Sequence, residues 1–326
     1  MKDIVLKSRE HGGDPKAAEA RFGVPKDGWL DLSTGINPVP YPVEPCPAEL
    51  LHRLPLKQDL DDLLAAARRA YNVPDRACIV ASPGTQALIQ QVPTLFEAGN
   101  VNILSPTYGE HAPAWTAAGH VVTEVSELDA SSPYTVVVHP NNPDGRTQNI
   151  EAVLKAGEQG TVIVDEAFAD VTPDLSITPR AGSQGLIVLR SFGKFYGLAG
   201  VRLGFAICNE VTAAKLNEKL GPWAVSGPAL WAGTKALSDA DWALKTRQRL
   251  KSDTARLHKI LRKAGLDIIG GTDLFTLCES SKASQIYEKL GQAGILVRPF
   301  EYQSTWLRFG LAGDELAWVR LEEALQ

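Results

Sequence analysis

Hydrophobic positions in the middle of the chain come in short runs rich in valine, isoleucine and leucine. Seven of these runs are predicted to be strands: Cys78–Ser82, Asn100–Leu104, His120–Val125, Thr135–His139, Thr161–Asp165, Leu186–Arg190 and Arg202–Cys208. Segments of helical length and spacing, such as Thr85–Phe96 and Asn149–Glu158, lie between several of them. Strands that alternate with helices are typical of a mostly parallel sheet covered on both faces. The pattern therefore predicts an α/β fold of three layers around a seven-stranded, mostly parallel sheet.

The pattern changes after residue 235. Asp239–Ala264 has the spacing of a long charged helix, and a last helix is predicted from about Asp314 to Leu325, with Asp314 as its N-cap. Short strands are predicted between these helices at Asp267–Ile269, Leu274–Cys278, Ile295–Val297 and Trp306–Phe309. We therefore expect an N-terminal arm over residues 1–45, a large domain over 46–235 and a small α+β domain over 236–326.

Composition narrows the function classes. Hydrophobic residues make up 44% of the 326 residues, which is enough for a packed core, and the net charge of −5 offers no electrostatic case for nucleic acid. The four cysteines and six histidines are scattered, so neither a disulfide scaffold nor a sequence-local metal site is expected. We read no signal peptide and no membrane span, and expect a cytoplasmic location.

Polar residues follow several of the predicted strands, where an open α/β sheet binds its ligand. In Ser82–Ala87, a glycine turn leads into a helix start that favours a phosphate, although such turns are also common without one. In His139–Gly145, two adjacent asparagines can donate to a ligand oxygen, or the segment is simply a loop.

Two further loops carry charges. Asp165 ends an apolar run, and a carboxylate at the mouth of a sheet needs a cation; a helix cap or a salt bridge would also explain it. Lys194 and Arg202 flank a glycine-rich stretch after another apolar run. A single lysine is usually a solvated surface residue, but this position places Lys194 near the sheet edge.

The combination of N-N-P-D-G, D-E-A-F and S-F-G-K-F-Y-G-L-A-G-V-R-L-G resembles the fold type I family of pyridoxal-phosphate enzymes over most of the chain, from about residue 30 to 310. The resemblance implies that Lys194 forms the Schiff base with the cofactor, that Asp165 pairs with the pyridine nitrogen and that Asn142 bonds the ring oxygen. It implies that the cofactor phosphate is held by Gly84, Thr85, Gln86, Ser191 and Arg202. Tyr108 is expected to stack on the ring, or else to be a core aromatic residue. Phe168 stands where the family often has a tyrosine.

The N-terminal segments His11–Gly13 and Leu32–Pro38 are similar to the cobalamin-pathway branch of this family, the L-threonine-O-3-phosphate decarboxylases. That branch is close to the histidinol-phosphate aminotransferases, which usually have a tyrosine where this chain has Leu54. The substrate contacts implied by the resemblance are His11, Asn37, Arg298 and Arg308. Arg308 would clamp the α-carboxylate, and Arg298 would meet a substrate phosphate, with His11 closing over it. The alternative interpretations are that Arg298 is a surface residue and that His11 belongs to a mobile terminus.

The resemblance leaves the reaction open between decarboxylation of threonine phosphate and transamination, since the same residues serve both. A pyridoxal-phosphate-binding regulator is a third reading, disfavoured because we see no room for a DNA-binding domain ahead of the motifs. Relatives are homodimers, so the resemblance also implies a homodimer that acts on a small amino-acid substrate, without nucleic acid or membrane partners.

Overall fold

The computed structural model describes residues 12–129 and 131–326. The helices in these ranges are α1 (Pro15–Phe22), α2 (Glu49–His52), α3 (Lys57–Ala70), α4 (Thr85–Gln91), α5 (His111–Ala117), α6 (Ile150–Gln159), α7 (Glu210–Leu220), α8 (Gly227–Ser238), α9 (Ala240–Lys263), α10 (Ala283–Gln292) and α11 (Glu315–Ala324). The strands are β1 (Leu30–Asp31), β2 (Cys78–Ser82), β3 (Asn100–Leu104), β4 (Val121–Val125), β5 (Tyr134–Val138), β6 (Thr161–Asp165), β7 (Leu186–Ser191), β8 (Gly204–Cys208), β9 (Asp267–Thr272), β10 (Phe275–Glu279), β11 (Ile295–Leu296), β12 (Arg298–Pro299) and β13 (Trp306–Gly310).

The chain divides into two compact units. Unit 1 comprises the described residues through Gly35 together with Asp253–Ile269 and Phe275–Gln326, and unit 2 comprises Ile36–Ser252 and Gly270–Leu274. These divisions lie at other positions than the expected boundaries at 45 and 235, and one of them falls inside α9. Unit 1 is assembled from segments that are far apart in the sequence, whereas the two segments of unit 2 are separated only by residues 253–269.

Unit 2 contains a seven-stranded sheet in the order β2-β8-β7-β6-β5-β3-β4. The strand β8 is antiparallel to both of its neighbours, and the other neighbouring pairs are parallel. Residues of α4, α5 and α7 complete an apolar core with the strands, and Trp115 is among its largest buried side chains. The predicted mostly parallel α/β fold is confirmed.

Helix ends follow their capping residues. Asn149 accepts a hydrogen bond from Ala152 N at 3.0 Å at the start of α6, and the predicted cap Asp314 accepts one from Ala317 N at 2.8 Å at the start of α11. The helix predicted over Thr85–Phe96 is shorter than expected: α4 ends at Gln91, and Val92–Leu95 forms a 3₁₀ turn. Pro93 explains the difference, because proline cannot donate the hydrogen bond that continues an α-helix.

Unit 1 contains antiparallel pairs in which both β10 and β12 lie beside β13. A separate parallel pair joins β1 and β11, with Leu30 opposite Ile295. The pairing of β12 with β13 places Arg298 directly opposite Arg308. This register brings two of the predicted substrate contacts together.

Candidate active site

The functional side chains of unit 2 lie along one edge of its sheet. Ser191 at the end of β7 is paired with Gly204 at the start of β8, which is paired with Ser82 at the end of β2. Asp165 ends the neighbouring parallel strand β6. The carboxyl ends of parallel strands meet at one edge of a sheet, so the loops after β2, β6 and β7 and the residues before β8 share that edge.

A glycine and an arginine form a cradle at this edge. Gly84 has φ 83°, and a Cβ atom there would lie 2.5 Å from Nη2 of Arg202, so the guanidinium packs directly on the glycine backbone. Arg202 has a left-handed backbone, with φ 56° and ψ 66°, and its Nη1 donates to Ala199 O at 3.1 Å. Thr85 begins α4 beside them and its hydroxyl donates to Arg190 O at 3.1 Å. A guanidinium beside a helix start is suited to bind an anion.

Tyr108 lies close to the same helix. Its hydroxyl donates to Oε1 of Gln86 at 3.4 Å, and Nε2 of Gln86 donates to Glu110 at 3.3 Å. Burial, followed by the charges of Glu110 and Asp165, raises the pKa of Tyr108 to about 12. Tyr108 therefore keeps its phenol proton at neutral pH, and the predicted stacking residue and the predicted phosphate contact Gln86 are joined by a hydrogen bond.

Asp165 and His111 form a buried pair. Nε2 of His111 lies 3.0 Å from Oδ2 of Asp165, and both side chains are almost fully buried. The other carboxylate oxygen of Asp165 accepts from Ala167 N at 3.0 Å. His111 was missed in the sequence, because it precedes Asp165 by 54 residues and only the packing of α5 brings the two together. The imidazole fixes the orientation of the carboxylate at the mouth of the sheet.

Lys194 lies in a closely packed turn after β7. Its Nζ is 5.9 Å from the centroid of the buried Phe168 ring. Its carbonyl accepts from Asn37 N at 2.9 Å, and a Cβ atom at Gly193 would lie 2.8 Å from Cα of Ala199. Phe168 thus gives the lysine an aromatic face where the family often has a tyrosine hydroxyl.

The structure distinguishes the two adjacent asparagines. Asn141 is buried; its amide donates to Pro106 O at 3.0 Å and to Asp144 Oδ1 at 2.8 Å, and its oxygen accepts from Thr107 Oγ1 at 2.6 Å. These bonds fix the loop. Asn142 is only half-buried, and its predicted contact with the cofactor ring stays a prediction.

Asn37 contacts the turn that carries Lys194. Its amide donates to Phe195 O at 2.8 Å, and its oxygen accepts from Val39 N at 3.0 Å and from Arg249 Nη2 at 2.8 Å. Asn37 therefore fixes the lysine turn through both its backbone and its side chain. Its predicted contact with the substrate stays a prediction.

The predicted substrate arginines form a separate cluster in unit 1. Arg308 is buried, its Nη2 donates to Ser33 O at 2.8 Å, and its guanidinium lies 5.2 Å from the Phe275 ring. Burial, followed by the charge of Arg298, lowers the pKa of Arg308 to about 10. Two neighbouring cations, one of them buried, make a site for an anionic ligand.

The backbone that receives Arg308 is itself held by a small polar cluster. Oδ1 of Asp31 accepts from Ser33 N at 2.8 Å and from Ser33 Oγ at 2.5 Å, and Gly13 N donates to Ser33 Oγ at 2.8 Å. His11, two residues before Gly13, lies outside the described residues. Its predicted role stays a prediction.

Within residues 12–129 and 131–326, no group of three histidine, cysteine or acidic side chains is arranged to hold a metal ion. No helix in those ranges has both the length and the apolar character needed to cross a membrane.

The chain is similar to known proteins over nearly its whole length. Residues 52–317 match the family model described as aminotransferase class I and II. The chain is 45% identical to a threonine-phosphate decarboxylase of Sinorhizobium sp. over 325 residues and 42% identical to one of Pseudomonas aeruginosa over 327, covering 97% of each chain. It shares its fold, at a TM-score of 0.77 and 20% identity, with a histidinol-phosphate aminotransferase from Sinorhizobium meliloti solved in complex with pyridoxal-5'-phosphate, covering 100% of this chain and 96% of that one.

Proposed function

Because this chain belongs to the aminotransferase class I and II family, we propose that it is a pyridoxal-phosphate enzyme that decarboxylates L-threonine O-3-phosphate to (R)-1-aminopropan-2-yl phosphate for cobalamin biosynthesis. The observation that supports this substrate is the sequence identity of 45% and 42% with two threonine-phosphate decarboxylases over 97% of each chain. A cytoplasmic location and a homodimer are part of the same proposal.

The side chains at the sheet edge fit pyridoxal phosphate. The cradle at Gly84 leaves no room for a Cβ atom against Arg202, as expected of backbone that must approach a phosphate closely. Asp165 supplies a buried acceptor that is already oriented by His111, which suits a protonated pyridine nitrogen. The residues that would hold the cofactor are Gly84, Thr85, Gln86, Tyr108, Asn142, Asp165, Ser191, Lys194 and Arg202.

The bound cofactor supplies an electron sink for the pair of electrons released when a bond to Cα breaks. Asp165 holds the proton on the pyridine nitrogen, and His111 keeps the carboxylate turned toward it. Lys194 would hold the cofactor through its amine and, when that amine is free, would be the base and acid that moves a proton at Cα. When the carboxylate leaves as CO₂, Lys194 would deliver a proton to Cα.

The substrate contacts are proposed from the chemistry of the arginines. Arg308 binds the α-carboxylate and Arg298 binds the phosphate, because an anion offsets the repulsion and burial that lower the pKa of Arg308. Asn37 and His11 complete the proposed contacts. A substrate with two anionic groups matches two cations on neighbouring strands.

Transamination, as by a histidinol-phosphate aminotransferase, is the second candidate. The likeness of fold to such an enzyme favours it, whereas Leu54, where those enzymes usually carry a tyrosine, weighs against it. The two reactions differ in which bond to Cα breaks.

One experiment separates these readings. The purified protein is incubated with pyridoxal phosphate and L-threonine O-3-phosphate, and CO₂ is measured; a parallel sample receives histidinol phosphate and 2-oxoglutarate, and glutamate is measured. We expect CO₂ without glutamate, and glutamate without CO₂ would replace the decarboxylase by the aminotransferase. Lys194→Ala should lower the rate by about 10²–10⁴-fold or more, with exposed Lys155→Ala as the matched control.

A further inference from the structure

A buried ionic network lies directly behind the cofactor-binding edge of unit 2. The guanidinium of Arg190 donates to Glu166 Oε2 at 2.7 Å and to Asp170 Oδ1 at 2.7 Å. All three side chains are at least 96% buried. Glu166 also accepts from the hydroxyls of Ser176 at 2.6 Å and Thr178 at 3.0 Å. We call Glu166, Asp170 and Arg190 the Arg190 network.

Stability alone does not account for such a network. Burying three charges is expensive, and apolar side chains of similar volume often stabilise a core as well or better. Burial raises the pKa of Asp170 above its ordinary value, so the desolvation penalty on its charge exceeds the stabilisation that Arg190 and Arg247 provide. The network therefore stabilises the core less well than apolar packing would. Its hydrogen bonds, however, fix the orientation of the side chains, which apolar contacts do not.

Each end of the network leads to a different cofactor contact. Glu166 directly follows Asp165 in the chain. The carbonyl of Arg190 accepts the hydroxyl of Thr85 at 3.1 Å, at the predicted phosphate contact. The carbonyl of Asp170 accepts from Arg247 Nε at 2.7 Å.

Arg247 extends the network to the lysine. Its guanidinium lies 5.2 Å from the ring of Phe195, the residue after Lys194. The network therefore joins the strand end that carries Asp165, the helix start that carries Thr85 and the turn that carries Lys194, none of which is adjacent to another in the sequence.

We propose that Glu166, Asp170 and Arg190 are positioning residues that hold Asp165, Thr85 and Lys194 at fixed separations for the pyridine nitrogen, phosphate and aldehyde carbon of the cofactor. This inference rests on the proposed function. It requires that a substitution in the Arg190 network changes both the affinity for the cofactor and the proton affinity of the bound cofactor. None of the three side chains is assigned a contact with the cofactor.

The test compares two glutamate-to-glutamine substitutions. Glu166→Gln removes the buried charge facing Arg190 and keeps the side-chain shape. Glu151→Gln makes the same change at an exposed ion pair with Arg180, 2.8 Å apart, and serves as the matched control. For each protein, pyridoxal 5'-phosphate is titrated into the cofactor-free form, and the pH midpoint of the visible absorbance of the bound cofactor is measured.

We expect Glu166→Gln to weaken cofactor binding about 10- to 100-fold, the range typical of residues that orient a direct ligand. We also expect it to shift the pH midpoint by about half a unit or more, since the charge partners of the bound cofactor move. Glu151→Gln should change neither quantity. A folded Glu166→Gln protein with wild-type affinity and midpoint would overturn the proposal and leave the network a purely structural feature.

Asp170→Asn covers the case in which Glu166→Gln does not fold. It leaves the pair of Glu166 and Arg190 intact, and the same two readouts then decide. Failure of the proposed function is recognised separately: without decarboxylation no CO₂ would form from L-threonine O-3-phosphate, and without cofactor binding the wild-type protein would show no visible absorbance that depends on Lys194, as judged against Lys194→Ala. Wild-type absorbance that depends on Lys194, together with unchanged network variants, would refute this inference alone.

Discussion

Two buried arginines, one in each unit, have opposite electrostatic surroundings. Burial disfavours the charge of Arg190, but Asp170 and Glu166 outweigh it and raise the pKa of Arg190 above its ordinary value. At Arg308, burial and the nearby Arg298 act in the same direction and lower the pKa to about 10. Arg190 is therefore neutralised by the protein itself, whereas the surroundings of Arg308 favour an anion brought by a ligand. If Arg308 binds the substrate as proposed, the direction of the pKa shift distinguishes the structural charge of Arg190 from the ligand-binding charge of Arg308.

The strongest test of this difference is Arg190→Met. It leaves the carboxylates of Glu166 and Asp170 buried without their cation, so we expect the free energy of unfolding to fall by about 3–5 kcal/mol. Chemical denaturation of the cofactor-free protein measures the change. A loss below about 1 kcal/mol would mean that the two carboxylates are not charged in the folded protein.

Arg308→Met should give the opposite result. The lowered pKa of Arg308 corresponds to a charge-burial penalty of about 3 kcal/mol at most. We therefore expect the cofactor-free variant to be at least as stable as the wild type. Its kcat/KM for L-threonine O-3-phosphate should nevertheless fall by about 10²-fold or more, because a buried charge pair with the carboxylate is lost. A destabilised variant with unchanged kcat/KM would reverse the roles assigned to the two arginines.

The pH dependence of substrate binding sharpens the assignment. Arg308 loses its proton as pH rises through about 10, so the affinity for the substrate should fall above that pH. Since the folded protein binds this proton less tightly than the unfolded chain, Arg308 contributes a gain in stability of the ligand-free protein as pH rises from about 10 toward its ordinary pKa. Denaturation of wild type and Arg308→Met between pH 9 and 11 measures that contribution as their difference; a constant difference would contradict it.

The smallest effect of an arginine substitution is expected at an exposed position. Arg256 makes two hydrogen bonds of 2.6 Å to Glu315, but the two side chains are 38% and 70% exposed. Solvent screens such a pair, so Arg256→Ala should lower the melting temperature by no more than about 2 °C. A larger decrease would show that the contact of Arg256 with the Trp318 ring, 5.0 Å away, contributes more than the ion pair.

Local patterns in the sequence predicted the strands and the cap of the last helix. The mostly apolar runs that became β2, β3, β6 and β8 are each short segments of the sequence, and Asp314 stands immediately before its helix, so each signal lies within a few residues. The parallel pairing of β1 with β11 had no such signal, because two residues at each end of the chain form it. The helix α3 was overlooked although its sequence carries a helical spacing of apolar residues.

The candidate site shows the same limit. Asp165, Lys194 and Arg202 were predicted from motifs, because each lies at the end of an apolar strand or close to one. His111 and Arg247 were not found, since their partners lie 54 and 77 residues away and only the topology brings them together. Arg190 did carry a signal, as a charged residue ending an otherwise apolar strand. Such a residue indicates a buried counter-ion, which the chain supplies in Glu166.

The hydrogen bonding of Arg190 to two buried carboxylates also constrains how this protein can diverge. Replacing Arg190 alone leaves Glu166 and Asp170 buried without their cation, whereas replacing all three by apolar residues together can leave stability unchanged. The effects of substitutions at these positions therefore depend on one another. A sequence that changes from the ionic to the apolar version one residue at a time passes through an unstable intermediate. A designer who wants to alter this part of the core must change the three codons at once.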